Sequence, residues 1–278
     1  MSRATSLVHR DTLYQWSKYL IYALLSSNIL FFFGDEWLAA EHTLVGDWAL
    51  PDLIEAFAAT IDTLAWVLLL LIFELETWHL NPATMKHSTK QALMLIRAAC
   101  YLMILSAFFG YAEKMLELES ADILAVGPAC DLGAEGYKQM TTLDEYQAID
   151  ADACREQVDL AVHKGQKWIA STRVLEDTQA LAWVDVLNAG TWLLIVALLE
   201  LDLRAAAKGS VSKRGALVSN ALKLGLYLML VVFAIYWGLN GAFIDFWDAF
   251  LWILAFVYIE RNLFTSWDEV DARSAPAT

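Results

Sequence analysis

Three sets of residues recur at one spacing along the chain. Asp62, Trp66 and Glu74 form the first, Asn188, Trp192 and Glu200 the second, Asp248, Trp252 and Glu260 the third. In each, a short acid or its amide precedes a tryptophan by four residues, and a glutamate follows that tryptophan by eight. A companion pattern places a cation four residues before a tyrosine: Lys18 and Tyr22, Arg97 and Tyr101, Lys223 and Tyr227. Trp168 with Glu176 also fits the eight-residue spacing, so one pair carries little weight. Three sets in alternate apolar segments carry more.

The chemistry open to these residues depends on where they sit. Asp62 lies about eight residues into an apolar segment, hence about 12 Å deep at the helical rise. Asn188 and Asp248 are comparably placed, with Asp185 and Asp245 one turn shallower. An uncompensated Asp at the centre of a membrane helix costs about 2.5–3.5 kcal/mol, so such residues are expected to face a protein interior or a wet cavity. Gathered around a pseudo-threefold axis, Asp62, Asn188 and Asp248 would line a path for a cation or a proton relay. The competing use is a buried polar network with Thr63 and Thr191 that fixes helix register at about 0.6 kcal/mol per bond. Trp66, Trp192 and Trp252 lie mid-segment, where packing is their expected role. Asn28, beside Ser26 and Ser27, is read as a helix contact rather than a ligand.

The cations and glutamates fall at segment ends. The spacing pairs Lys18 with Glu74, Arg97 with Glu200 and Lys223 with Glu260 at the cytoplasmic rim, each clasping an antiparallel hairpin. An exposed pair of this kind contributes about 0–1 kcal/mol, and a structural clasp is preferred to a gate. Other chemistry finds no support. The five histidines, His9, His42, His79, His87 and His163, form no metal-ligand or His-Glu-x-x-His cluster, and no Gly-x-Ser-x-Gly, P-loop or dinucleotide motif occurs. No catalytic residue, no metal and no cofactor is assigned, and the chain is not read as an enzyme.

The elements that must hold these residues follow from composition. The 278 residues are 58% hydrophobic and 19% charged, with a mean hydropathy of +0.45. A soluble domain is about 45–50% apolar and about 25% charged, and the surplus here lies in runs long enough to cross a bilayer. Six segments qualify: Tyr14 to Gly34, Ile54 to Phe73, Ala92 to Tyr111, Thr178 to Leu199, Ala221 to Gly238 and Ala242 to Ile259. Backbone polar groups without water demand helix, so the expected fold is an all-α, six-span integral membrane protein. Its repeat makes it one membrane domain of three helical hairpins, about 14–78, 91–204 and 217–263, with a disordered tail at about 265–278.

Lysine and arginine cluster before span one, between spans two and three, and between spans four and five, which makes that side and both termini cytoplasmic. The opposite segments are acidic. Asp35 to Asp52 holds five acids and no Lys or Arg, and the loop 112–176 holds thirteen acids against six bases, most of the −14 net charge. That charge disfavours nucleic acid and favours cations. Cys130 and Cys154 fall in the same outer loop and are expected to form a disulfide, while Cys100 lies inside span three. The expected location is a cell membrane, the bacterial inner membrane, in contact with lipid. The expected function is a cation or proton channel or transporter with an acidic intramembrane site. The alternative is a structural or assembly protein that binds a partner through its acidic outer loop.

Overall fold

The computed structural model describes residues 2–44, 48–78, 86–124, 132–133, 135–149, 160–207, 213–256 and 258. Apolar runs give the helices. They are α1 (Ser2–Thr43), α2 (Leu50–Ala56), α3 (Ala58–Trp78), α4 (His87–Glu119), α5 (Thr172–Ala207) and α6 (Lys213–Leu239). A turn at Asn240 and Gly241, the glycine at φ 85°, leads to α7 over residues 243–256. Within these, Tyr14–Thr43, Ala58–Glu76, His87–Glu119, Thr172–Asp202 and Arg214–Leu239 are long and apolar enough to cross a membrane. The chain is thus mostly helical, with five helices of membrane-crossing length among the described residues. Of the sixth expected span, the described part is shorter than a crossing by itself.

The helices outrun the expected spans. The second departs most, because it breaks at Phe57 into α2 and α3. Pro51 sits in the first turn of α2, and Asp52 accepts a hydrogen bond from the Ala49 amide at 2.6 Å. The new helix start at α3 needs partners for its amides, and Glu36 of α1 supplies them, accepting from Ala59 at 2.7 Å and Thr60 at 3.0 Å.

Residues 112–176, expected to form a loop, instead extend α4 to Glu119, begin α5 at Thr172 and build a five-stranded sheet between them. The strands are β1 (Asp122–Leu124), β2 (Lys138–Thr142), β3 (Glu145–Ala148), β4 (Leu160–His163) and β5 (Trp168–Ser171), in spatial order β1-β4-β5-β2-β3. The pairs are antiparallel except β2 with β5, which is parallel with Lys138 opposite Trp168. One sheet face packs Met140, Ala161, Trp168 and Ala170 against Met115 and Leu118 of α4 and Leu175 and Ala182 of α5. The other packs Leu160, Val162 and Ile169 with Leu132, Tyr137 and Ile149.

Two compact units make up the chain: residues 1–28 with 230–278, and residues 29–229. In the larger one, α4 closes on α2 at Gly110, where a Cβ would stand 2.9 Å from the Ile54 carbonyl oxygen. Only glycine fits that approach. Below it Ala65, Cys100 and Ile104 form a small core with Trp66, Met103 and Leu193. Cys100 is a buried free thiol. Cys130, Cys154 and the tail 265–278 lie outside the described residues. Leu102, Phe109, Leu224 and other large apolar side chains face outward, a surface compatible with lipid contact.

Candidate functional site

The smaller unit holds one acid of the repeat in full detail. Asp248 of α7 accepts a hydrogen bond from the Asn28 side-chain amide at 2.7 Å and a second from the Trp252 indole. Trp252 follows Asp248 by one helical turn, so the four-residue spacing of the repeat is here the spacing of a side-chain hydrogen bond on one helix face. Asn28 is 0% exposed, and its Oδ1 meets no donor among the described residues. The partners of Asp248 are therefore neutral, and no cation is paired with it among the described residues. The sequence reads Asn28 as a helix contact, and the structure has it in one, bonded from α1 to Asp248 of α7. Asp245, one turn earlier, is half-buried. Toward the other end of this unit, the Tyr14 hydroxyl donates to the Tyr258 carbonyl and the Tyr258 hydroxyl to Ser17 Oγ, both at 2.9 Å.

Lys18 and Glu74 belong to different units, and each is buried, at 3% and 7% exposure. The Lys18 ammonium lies 4.9 Å from the Tyr19 ring centre and 5.9 Å from that of Tyr22.

In the larger unit the second elements of two repeat sets meet: the rings of Trp66 and Trp192 lie 5.9 Å apart, tilted by 53°. That contact sets equivalent positions of α3 and α5 at one level. Asp62, Asp185 and Asn188 are half-buried nearby in sequence, and Asn188 Oδ1 is buried without a donor among the described residues. The rim pairs require correction. Arg97 pairs with Glu76 rather than Glu200, and Glu200 pairs with Arg204 on its own helix at 2.7 Å. Lys223 pairs at 2.8 Å with Asp202, which also accepts from Ser219 at 2.7 Å; Glu260 lies outside the described residues. Both clasps join sequence-adjacent helices, α3 with α4 and α5 with α6, and both span 21 positions. The acid used stands two residues beyond the repeat glutamate, because helices joined by a short link pack together at that end.

The same unit contains a cavity of about 220 Å³ where α1, α2 and α4 meet the β2–β3 hairpin. Trp48, Glu55, Lys114, Glu117, Asp144 and Tyr146 are among its walls. Lys114 is ion-paired with Asp144. Glu117 accepts from the Gln166 side-chain amide, and its carboxyl hydrogen-bonds that of Glu55. Burial above all, with Glu113 and Asp52 adding to it, raises the Glu55 carboxyl, against the opposing pull of the Glu117 hydrogen bond and Lys114. Burial likewise pushes the Tyr146 phenol up to about 12, and the Tyr146 ring packs against that of His42, centres 4.8 Å apart and tilted by 48°. His163 stacks on Trp168 at 5.4 Å, and burial lowers its pKa below the ordinary histidine value.

None of these cavity residues stood out in the sequence. The available signal was the pair Lys114 and Glu117, three residues apart at the end of an apolar helix. Among the described residues no group of three or more His, Cys, Asp or Glu is placed to hold a metal ion. Compared with known protein families, with curated proteins and with solved structures, the chain matches none of the three.

Proposed function

We propose that the protein moves a cation or a proton across a membrane, with Asp248 and Asn28 as its binding couple. One observation carries this reading: a fully buried amide holds an acid among neutral donors while keeping an empty acceptor, Asn28 Oδ1, beside it. An isolated carboxylate in such surroundings is costly, so the group carries a proton or a cation rather than a bare charge. The carboxylate oxygens and the amide oxygen together form an acceptor set of the kind that replaces an ion's hydration shell.

Six spans arranged as three hairpins belong to this reading, as do both termini at the cytoplasmic face of a cell membrane, that of a bacterium, and a Cys130–Cys154 disulfide in the outer segment. The two 21-residue clasps and the Trp66–Trp192 contact support the repeat. Asp62, Asn188, Asp185 and Asp245 are the other positions proposed along the pathway.

The test is flux of sodium, potassium and protons into vesicles containing the purified protein. Asp248→Asn keeps size and hydrogen bonding and is expected to leave folded yield near normal with flux reduced at least tenfold. Unchanged flux in that variant, or no flux of any of the three in the parent, sinks the proposal. One feature favours the assembly alternative: β3 is an edge strand with Glu145, Gln147 and Ala148 exposed, open to pairing with another chain. Co-purification of a partner that is lost when β3 is replaced, in a protein without flux, would establish it.

A further inference from the structure

We propose that the aromatic platform of Phe33, Trp37 and Phe57, with Glu41 at its edge, binds the ammonium end of a zwitterionic phospholipid headgroup, phosphatidylethanolamine being the form that fits. The proposal rests on α1 crossing a membrane and not on transport, so it stands or falls apart from the Asn28–Asp248 couple.

The order of residues along one face of α1 locates the headgroup layer. Leu30, Phe33, Trp37 and Glu41 follow one another at spacings of three, four and four, so they share that face. Leu30 is 73% exposed, Phe33 44% and Trp37 51%, and Glu41 is exposed as well. The helix is of membrane-crossing length, and only 33% of its most apolar stretch is buried within the protein, so lipid is what covers this face. Aliphatic, then aromatic, then charged is the passage from hydrocarbon to water, and an indole belongs at its middle. The same passage recurs on α5. There Glu176 and Asp177 are exposed, Trp183 and Leu187 follow as the exposed apolar residues, and the Trp183 indole donates to Glu119 at 3.1 Å. Two spans thus meet the boundary with an indole whose N–H is held by a glutamate.

The rings on α1 form a surface for a cation. Phe33 stacks on Phe57 with ring centres 5.7 Å apart, and the Trp37 ring lies 5.6 Å from Phe33 and 6.4 Å from Phe57. Trp37 Nε1 donates to Glu41 Oε1 at 3.1 Å, which fixes the carboxylate beside the platform. One N–H occupies one of its about four lone-pair sites, so it keeps room for a second donor. A primary ammonium seated here lies against the ring faces and donates to the carboxylate at once. A quaternary ammonium has no N–H and uses the rings alone. An anionic headgroup is disfavoured, because residues 35–52 carry five acids and no Lys or Arg to answer a phosphate.

The test uses vesicles in which one lipid carries bromine on its acyl chains and quenches indoles beside it. Brominated phosphatidylethanolamine in plain phosphatidylglycerol is compared with brominated phosphatidylglycerol in plain phosphatidylethanolamine, at equal mole fractions. The difference between the parent and Trp37→Phe isolates one indole. That component is expected to prefer the ethanolamine lipid about threefold, the size of one exposed contact between a cation and a ring. Glu41→Gln is expected to bring the preference close to one while both lipids still quench Trp37. The loss in Glu41→Gln is also read on total emission against the parent, so a misfolded Trp37→Phe does not remove the test. Equal quenching by the two lipids in the parent, a preference that Glu41→Gln leaves unchanged, or no quenching of Trp37 by either lipid would overturn the proposal. So would a brominated phosphatidylcholine that quenches Trp37 as strongly as the ethanolamine lipid.

Discussion

The two polar regions of this chain satisfy their acids by opposite means. Asp248, between α1 and α7, is held by an amide and an indole and meets no cation among the described residues. The carboxyls at the sheet end answer one another and a lysine: Asp144 takes Lys114, and Glu117 takes Gln166 and the Glu55 carboxyl. The difference is one of solvent. In an apolar surrounding a full charge on a partner needs as much compensation as the acid itself, so neutral donors are favoured. Beside the polar, partly exposed β2–β3 hairpin, charges are tolerated and opposite ones pair.

The largest way to break that contrast is to remove the sheet's hold on the helices. Trp168 is 1% exposed in the core shared by β5, α4 and α5. Trp168→Ala is expected to cost about 3–5 kcal/mol locally. Proteolysis within the strands should then rise sharply while cation flux persists. A second variant separates charge from packing. Lys114→Met leaves Asp144 without its cation, and its expected cost is about 1–3 kcal/mol by denaturant titration, with Asp144→Asn on the same background restoring part of it.

The neutral couple should behave differently. Asn28→Leu removes one hydrogen bond from Asp248, at about 1–3 kcal/mol for a buried group left short of a partner. Adding Asp248→Leu is expected to recover most of that loss, because two apolar side chains replace two polar ones. A double-mutant cycle on folded yield and thermal midpoint measures the recovery, and additive losses would contradict a self-contained pair.

The smallest effect is a pH slope. The Glu55 carboxyl is raised from its ordinary value of 4.5, so the folded state holds its proton more tightly than the unfolded chain does. Stability from this group is fully present below pH 4.5 and is lost as pH rises through the higher folded value. Thermal midpoints followed upward from pH 4 should decline, and Glu55→Gln should flatten the decline.

Apolar length made five helices legible, since nothing but helix satisfies a run such as Ala92 to Tyr111. The sheet was hidden because its strands are three to five residues long and β2, Lys138–Thr142, reads as a polar segment. Arg97 and Lys223 were recognised as clasp cations, yet their partners were assigned by the repeat rather than by the helix link, which placed Glu200 and Glu260 where Glu76 and Asp202 serve. Asn28 was visible but undervalued, as an amide reveals its importance only through the acid it faces. Glu55 and Glu117 lie in segments far apart along the chain, and no local spacing announces a pair closed by tertiary packing.

The join between the sheet and α5 has no linker. Strand β5 ends at Ser171 and α5 begins at Thr172, its start fastened by the Val174 amide donating to Ser171 Oγ at 3.3 Å. Sheet and helix therefore act as a single lever. Asn188 lies about 24 Å along that helix at 1.5 Å per residue. A tilt imposed on the strands reaches it as a displacement, with no hinge on the way to absorb the motion.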